Sequence, residues 1–249
     1  MMIKLFLTIF VFTLSVGTMS AEEIKLSSSP QQTALVELYT SEGCSSCPPA
    51  EAWMSRLKDD ADLWKRFVPV SFHVDYWDRL GWRDRFSSKR WTERQSRYAA
   101  LWNSESVYTP AVVVNSREER DWSRVSLSQP NEKQVGVLRV TSSDGKTFAL
   151  EFRPADRTAS DWDAHLALLA SDITTDVRAG ENSGRNLKHD FVVLDLQNGE
   201  MKADSGAASA RLTISAPLEN VPRRAIAAWV TQRGELPARQ ATGGWLPSK

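Results

Sequence analysis

The two cysteines of this 249-residue chain lie three positions apart, at Cys44 and Cys47. The apolar run at residues 35–39 predicts a buried strand before them, and apolar residues with helical spacing follow between residues 50 and 57. We expect the helix to begin near Cys44. Unpaired N–H groups and the dipole at a helix N-terminus favour a thiolate, which is the nucleophilic form of cysteine.

Pairing these cysteines gives a poor structural crosslink. In the chain-entropy model a four-residue loop stabilises a protein by about 2 kcal/mol at most, against about 3 kcal/mol for fifteen residues. The chain holds no other cysteine, so its single possible disulfide encloses a very short loop. This favours a redox pair over a structural staple.

The N-terminal residues have the features of an export signal. Lys4 precedes an apolar stretch at residues 5–16, which is shorter than the roughly 20 residues that span a bilayer. Ser20 and Ala21 are small residues suited to the cleavage site. We predict a signal peptide over residues 1–21, with an uncleaved anchor as the alternative. No cysteine lies near the cleavage site, so no lipid anchor is expected, and the mature chain is predicted to be periplasmic or secreted without a membrane anchor.

The charge balance argues against two classes of partner. The chain has 31 basic and 31 acidic residues, so it lacks the positive excess that is typical of proteins that bind nucleic acid or anionic membranes. We therefore expect no nucleic-acid partner.

Glu37 lies in the middle of the first predicted strand, where a carboxylate is costly unless it is paired or neutralised. In one interpretation it points outward at a sheet edge or meets an arginine. In the other it lies beneath the cysteine pair and handles protons for it. The sequence leaves both open.

A second strand is predicted at residues 67–74 and contains His73, with Asp75 two positions on. On a strand these two side chains face the same side, so they are candidates for a proton shuttle or half of a metal site. The alternative is a core histidine bonded to Asp75 or to the backbone.

A helix is predicted from Ser87 or Ser88, either of which can cap it, to about residue 103. Thr109-Pro110 follows, directly before a strand at residues 111–115. A cis bond at this proline would hold the backbone of Thr109 at a fixed, exposed angle.

These features, taken in chain order, resemble the thioredoxin-like fold. More narrowly, the stretches ELYTSEGCSSCPPAE, HVDYWDRLGW and VYTPAVVV are similar to a widespread bacterial family of secreted thioredoxin-like proteins described as a domain of unknown function. The resemblance implies that Cys44 is the attacking cysteine, Cys47 the resolving one and Pro110 a cis proline. It also implies that the backbone at Thr109 receives an extended substrate and that Glu37 is a buried acid below the thiols.

The second half of the chain differs in composition. Segments flanking Ser143-Asp144-Gly145 predict a hairpin, and further short strands follow at regular spacing, with residues 162–170 ambiguous between helix and strand. The loop at residues 180–187 is interpreted as a turn, with the alternative that it leans toward the cysteines. The predicted architecture is an α/β thioredoxin-like domain at residues 32–125, followed by a smaller, mostly β, sandwich-like domain at residues 133–249.

The predicted function is thiol–disulfide oxidoreduction by Cys44 and Cys47, with protein or small-molecule thiols and disulfides as partners and the redox partner unassigned. No cofactor and no metal ligand are assigned in this hypothesis. One alternative is a copper-type metal-binding protein using Cys44, Cys47 and His73, since thiolate and imidazole suit Cu(I) and Zn(II). Another is a non-enzymatic binding module whose disulfide is inert.

Overall fold

The computed structural model describes residues 23–129, 132–156, 161–216 and 221–247. The predicted signal peptide, residues 1–21, lies outside the described residues. Two α-helices occur in the described parts, α1 (Pro48–Arg56) and α2 (Lys89–Leu101). The strands in chain order are β1 (Ile24–Ser27), β2 (Ala34–Thr40), β3 (Phe67–His73), β4 (Ala111–Val114), β5 (Arg117–Glu118), β6 (Gly136–Ser142), β7 (Thr147–Pro154), β8 (Trp162–Ser171), β9 (Ile173–Asp176), β10 (Asn186–His189), β11 (Val192–Glu200), β12 (Lys202–Asp204), β13 (Ala207–Thr213), β14 (Arg223–Gln232) and β15 (Ala238–Trp245). Single turns of 3-10 helix lie at Leu57–Asp59, Asp78–Leu80 and Trp122–Arg124.

The strands form two large sheets and one small one. The eight-stranded sheet has the order β15-β14-β8-β11-β3-β2-β4-β5, and the five-stranded sheet has the order β1-β6-β7-β13-β12. Strands β9 and β10 form a separate antiparallel pair. Within the large sheet β3 is parallel to both of its neighbours, β2 and β11, whereas the other pairs are antiparallel.

The predicted fold class, an α/β thioredoxin-like domain followed by a sandwich-like domain, is wrong. Strands make up 45% of the described residues and helices 14%, so the protein is mostly β. The eight-stranded sheet joins β2–β5 from the first half of the chain to β8, β11, β14 and β15 from the second. Local sequence patterns locate strands, but they do not indicate that β11 pairs with β3. The boundaries at residues 32–125 and 133–249 stay a prediction.

Strand β8 shows how the large sheet separates two cores. Leu166 and Leu168 point into a core shared with the five-stranded sheet. Ala167 and Leu169 point to the opposite face, into the core that contains residues of α1 and α2. Since both faces are buried, the strand has a continuous apolar sequence rather than an alternating one. This explains why the sequence pattern of residues 162–170 does not distinguish a helix from a strand.

The two helices begin at residues whose chemistry suits a helix start. Helix α1 begins at Pro48 with Cys47 as its N-cap, so the expected start near Cys44 is wrong. Proline is favoured at the first helical position because it lacks an N–H that would be unpaired there. Helix α2 begins after Ser88, whose Oγ accepts a 3.3 Å hydrogen bond from the backbone N–H of Arg90, which confirms one of the two predicted caps.

A buried ion pair connects α2 to β2. Arg94 donates to Glu37 through Nε at 2.7 Å and through Nη2 at 3.1 Å. Tyr39 and Tyr98 also donate to this carboxylate, at 2.9 and 2.5 Å. All four side chains are buried. The carboxylate is therefore held by charge and hydrogen bonds, which is the condition for a buried ion to be tolerated.

We predict that Arg94→Met destabilises the protein by about 3–5 kcal/mol, because it leaves the Glu37 carboxylate buried without a counter-ion. Glu37→Gln in that background is expected to restore part of the loss, since the amide oxygen still accepts a tyrosine hydroxyl. Urea unfolding followed by circular dichroism measures both. The control is Arg97→Met on the exposed side of the same helix, expected to change stability by about 0.5 kcal/mol or less. Equal losses for Arg94→Met and Arg97→Met would contradict the assignment.

Candidate functional site around the cysteine pair

Cys44 and Cys47 form a disulfide in the turn between β2 and α1. Their Cα atoms are 5.4 Å apart, which is within the usual range for a disulfide. The turn is closed by backbone hydrogen bonds from Cys44 N to Ser41 O at 3.1 Å and from Cys47 N to Cys44 O at 3.2 Å. Both cysteine side chains are fully buried. A partner thiol can therefore reach the sulfurs only if neighbouring groups move.

The loop before β4 lies against this turn, and its Thr109–Pro110 peptide bond is cis, as the resemblance implied. Ser46 Oγ is 3.5 Å from the backbone oxygen of Thr109 and 3.4 Å from Cys44 Sγ. Trp77 Nε1 donates to Thr109 Oγ1 at 2.8 Å. The structure thus brings Thr109 and Pro110 beside the cysteine turn.

Glu37, by contrast, is occupied by Arg94 and two tyrosines. This geometry agrees with the interpretation in which the carboxylate meets an arginine. The carboxylate one helical turn after the cysteines is Glu51, whose backbone N–H bonds Cys47 O at 3.1 Å.

His73 and Asp75 are not partners. Strand β3 ends at His73, so the two-residue alternation of a strand does not extend to Asp75. His73 Nδ1 lies 2.6 Å from Asp84 Oδ2, whereas Asp75 Oδ1 accepts from Thr92 Oγ1 at 2.6 Å. Asp75 therefore fixes the position of α2, and Asp84 orients the histidine.

A cluster of buried ionisable side chains surrounds His73, and its members come from distant parts of the chain. His189, at the end of β10, has Nδ1 2.8 Å from Glu51 Oε2 and Nε2 3.3 Å from Glu42 Oε1. The rings of His73 and His189 lie edge to face with centroids 5.2 Å apart. We call Glu42, Glu51, His73, Asp84 and His189 the buried acid–histidine cluster.

Mutual contacts keep members of this cluster charged. Burial raises the pKa of Glu51, but the charge and hydrogen bond of His189, together with the charge of His73 and the hydrogen bond of Thr40, bring the pKa below its usual value. Burial also raises the pKa of Asp84, and the charge and hydrogen bond of His73 bring it below normal. For His189 burial lowers the pKa, whereas the charge of Glu51 and contact with Glu42 raise it to about 10. Ionised carboxylates and an imidazolium are thus favoured at neutral pH.

The loop between β9 and β10 closes one side of the cysteine turn. Asn182 is buried, and its Nδ2 donates at 2.9 Å to both Glu42 O and Cys44 O. Glu181 Oε2 accepts from the backbone N–H of Ser45 at 3.1 Å. The alternative interpretation of this loop, that it leans toward the cysteines, is therefore confirmed.

Of the cluster, only His73 was singled out by the sequence. Glu42 and Glu51 flank the cysteines, but nothing in their local pattern predicts burial. His189 is separated from them by more than a hundred residues, and a distant pairing between strands brings it close. An acid next to a Cys-x-x-Cys motif is the one signal that could have directed attention to Glu42.

The chain belongs to the family DUF1223, described as proteins of unknown function, whose model matches residues 35–231. No curated protein matches the chain. The match contains the cysteine pair, the cis proline and the whole acid–histidine cluster.

Two solved structures are similar in fold. A crystal structure of protein AGR_C_4864 from Agrobacterium tumefaciens shares 24% identity with a TM-score of 0.62, covering 86% of this chain and 94% of its own. HBP35 of Porphyromonas gingivalis shares 13% identity with a TM-score of 0.53, covering 88% of this chain and 76% of its own. At these identities the likeness concerns the fold alone. Neither helix of the described residues is long and apolar enough to cross a membrane.

We predict that Asn182→Ala accelerates reduction of the Cys44–Cys47 disulfide by dithiothreitol. The side chain makes two buried hydrogen bonds to the cysteine turn, and their loss costs about 1–3 kcal/mol, so the turn opens more often. The rate is followed by trapping the released thiols and by mass spectrometry. Ser183→Ala is the matched control, because Ser183 is an exposed residue of the same loop that bonds Arg178 O. The prediction fails if Asn182→Ala and Ser183→Ala are reduced at the same rate.

Proposed function

We propose that this protein is a periplasmic or secreted thiol–disulfide oxidoreductase that uses Cys44 and Cys47. The observation that carries the proposal is the placement of the Cys44–Cys47 disulfide directly before α1 and beside the loop that contains Thr109 and Pro110. A disulfide that closes so short a loop constrains the unfolded chain little. Reversible exchange is a better account of the pair than stabilisation.

The exchange proceeds in two balanced steps. When the pair is oxidised and the groups that cover it have moved, a thiolate of a substrate dithiol attacks Cys44 Sγ, the Cys44–Cys47 bond breaks and Cys47 leaves as a thiolate. The second substrate thiolate then attacks the substrate sulfur of this mixed disulfide and releases Cys44. The substrate becomes a disulfide, and the protein gains two electrons, with protons taken up by the released sulfurs. The reverse sequence reduces a substrate disulfide, with Cys44 attacking and Cys47 resolving.

Two neighbours of Cys44 are assigned supporting roles. Ser46 Oγ, 3.4 Å from Cys44 Sγ, can donate a hydrogen bond to a thiolate formed there. The Thr109 backbone lies next to Ser46, so an extended substrate bound along this loop would place its sulfur near the pair. His73 is assigned an indirect role through the acid–histidine cluster, and Asp75 a positioning role through Thr92.

The burial of both sulfurs favours a second candidate, a binding module with an inert disulfide. The copper-type alternative is less favoured, because both sulfurs are in a disulfide rather than thiolates. Among the described residues, moreover, the one group of three side chains with metal-binding spacing contains neither cysteine.

Export is part of the proposal. Disulfides persist mainly in oxidising compartments, and the predicted signal peptide at residues 1–21 would direct the chain there. The mass of the protein recovered from a periplasmic fraction tests this, since cleavage after the signal leaves a mature chain that begins near Glu22.

We predict that Cys44→Ser abolishes turnover in both insulin reduction and oxidation of a dithiol peptide, because the attacking sulfur is lost. Cys47→Ser is expected to accumulate mixed disulfides, since the resolving thiol is missing while attack by Cys44 persists. Ser96→Ala, a substitution of an exposed residue on α2, is the control and should have the activity of the wild type. Wild-type protein without activity in either direction, and with a Cys44 pKa near about 8.5 after reduction, would instead support the inert-disulfide module. The reduction potential of the Cys44–Cys47 pair then indicates the direction of electron transfer. A value of about −270 mV indicates a reductase, and a value of about −120 mV indicates an oxidant.

A further inference from the structure

Three side chains of the acid–histidine cluster have the spacing of metal ligands. One ligand atom each from Glu51, His73 and His189 lie within 4.8 Å of one another, and no other group of three is found among the residues that the structure describes. All three side chains are buried. They come from α1, the end of β3 and the end of β10, so three separate elements fix their positions.

The donor set has the chemistry of a zinc site. Two imidazoles and one carboxylate are a common set of protein ligands for Zn²⁺ where a fourth position is left for another ligand. Ligand atoms on a tetrahedral Zn²⁺ lie about 3.4 Å apart, because Zn–N bonds are about 2.1 Å long. Binding therefore requires the widest gap in the group to close by a small side-chain adjustment.

Two of the three candidate ligands are oriented by hydrogen bonds to neighbouring side chains, as ligands in metal centres are. His73 Nδ1 is 2.6 Å from Asp84 Oδ2, so with a proton on Nδ1 the other nitrogen carries a lone pair for a metal. Thr40 Oγ1 donates to Glu51 Oε1 at 2.6 Å. Carboxylates and hydroxyls in this position fix the tautomer and the direction of metal-binding side chains.

His189 and Glu42 provide an independent observation. Both ring nitrogens of His189, and Oε1 of Glu42, are buried and lack a hydrogen bond of acceptable geometry. The contacts of His189 at 2.8 Å to Glu51 and 3.3 Å to Glu42 are at ion-pair distance. Buried polar atoms are nearly always hydrogen-bonded in native proteins, so a group of exceptions calls for a partner.

The carboxylates of the cluster have the two histidines as their basic partners. Within the described residues no lysine or arginine forms an ion pair with Glu42, Glu51 or Asp84. A metal ion bound to neutral imidazoles would take the place of their protons as the counter-charge of these acids.

We propose that Glu51, His73 and His189 form a binding site for a single Zn²⁺ ion, with the fourth position open to water or another small ligand. The site uses neither cysteine, so Zn²⁺ binding can be measured separately from the proposed redox activity. It is compatible with the oxidised Cys44–Cys47 pair.

The test uses the mature protein with its disulfide intact, freed of metal with a chelator. Isothermal titration with Zn²⁺ is expected to give one site per chain. His189→Gln and Glu51→Gln should each weaken binding by more than the 10–100-fold typical of changes behind the ligands. His165→Gln is the matched control, because His165 is bonded to Asn198 and Thr231 outside the cluster, and it should bind like the wild type. The double variant Cys44→Ser/Cys47→Ser should also bind like the wild type.

Co²⁺ absorption gives a readout that does not depend on the folding of any variant. Co²⁺ bound to the oxidised wild type should show the visible bands of a low-coordinate nitrogen and oxygen site, without a sulfur-to-cobalt charge-transfer band. The proposal is overturned if the wild type binds no Zn²⁺, if His189→Gln and Glu51→Gln bind as tightly as the wild type, or if binding is lost in the double cysteine variant. A protein that binds no Zn²⁺ could still reduce insulin or oxidise a dithiol peptide, so the outcome of the metal experiments does not decide the redox proposal.

Discussion

The parallel contact between β3 and β11 is the constraint on which the rest of the structure depends. It is short: Val192 pairs with Ser71, Ser71 N donates to Phe191 O at 2.8 Å, and Ser71 Oγ donates to Asp190 O at 2.9 Å. It nevertheless joins the strands of the second half of the chain to the strand that ends in His73. A parallel contact requires a long connection between the strands, and here that connection is residues 74–191. Its consequence is local, because His189 lies just before the contact and is delivered to the buried acids near the cysteines.

Two buried networks of charged side chains, one around Glu37 of β2 and one around His73 of β3, are balanced differently. Glu37 meets Arg94 in a two-point contact and accepts from two tyrosines, so one acid is matched by one base and its acceptor sites are used. The acid–histidine cluster holds three acids and at most two positive charges, and several of its polar atoms lack hydrogen bonds. The first network is a structural solution to a buried carboxylate. The second leaves buried polar atoms without hydrogen bonds, which is the observation behind the proposed Zn²⁺ site.

Several parts of this structure follow from short-range pattern. The strand before the cysteines, the Ser88 cap and the hairpin around Gly145 are set by neighbours a few residues away. The predicted fold class is wrong because the fold depends on which strands pair across the chain. The periodicity of apolar residues in the sequence does not contain that information. The same reason explains why only some residues of the site can be recognised in the sequence. Cys44, Cys47 and Pro110 are visible in sequence because spacing or residue type marks them, whereas His189 and Asn182 reach the site through β10 and its loop.

The local sequence pattern also gives a wrong prediction for the partner of His73. Its spacing from Asp75 predicts a pair on one face of a strand, but β3 ends at His73, and Asp75 lies beyond it with its carboxylate bonded to Thr92. Asp84 replaces Asp75 as the partner from eleven residues further on. A histidine at a strand end is therefore paired by the loop that folds over it, and the identity of that partner is a tertiary property.

The acid–histidine cluster and the cysteine pair share a helix, so the charge state of one bears on the other. Glu51 follows Cys47 by one turn of α1, and Glu42 precedes Cys44 by two residues. Negative charge near a sulfur disfavours its thiolate, whereas a cation favours it. A cluster with excess carboxylate would thus hold the pair toward the disulfide or the protonated thiol. A cation bound at Glu51 would have the opposite effect, which links the proposed Zn²⁺ site to thiolate formation at these sulfurs.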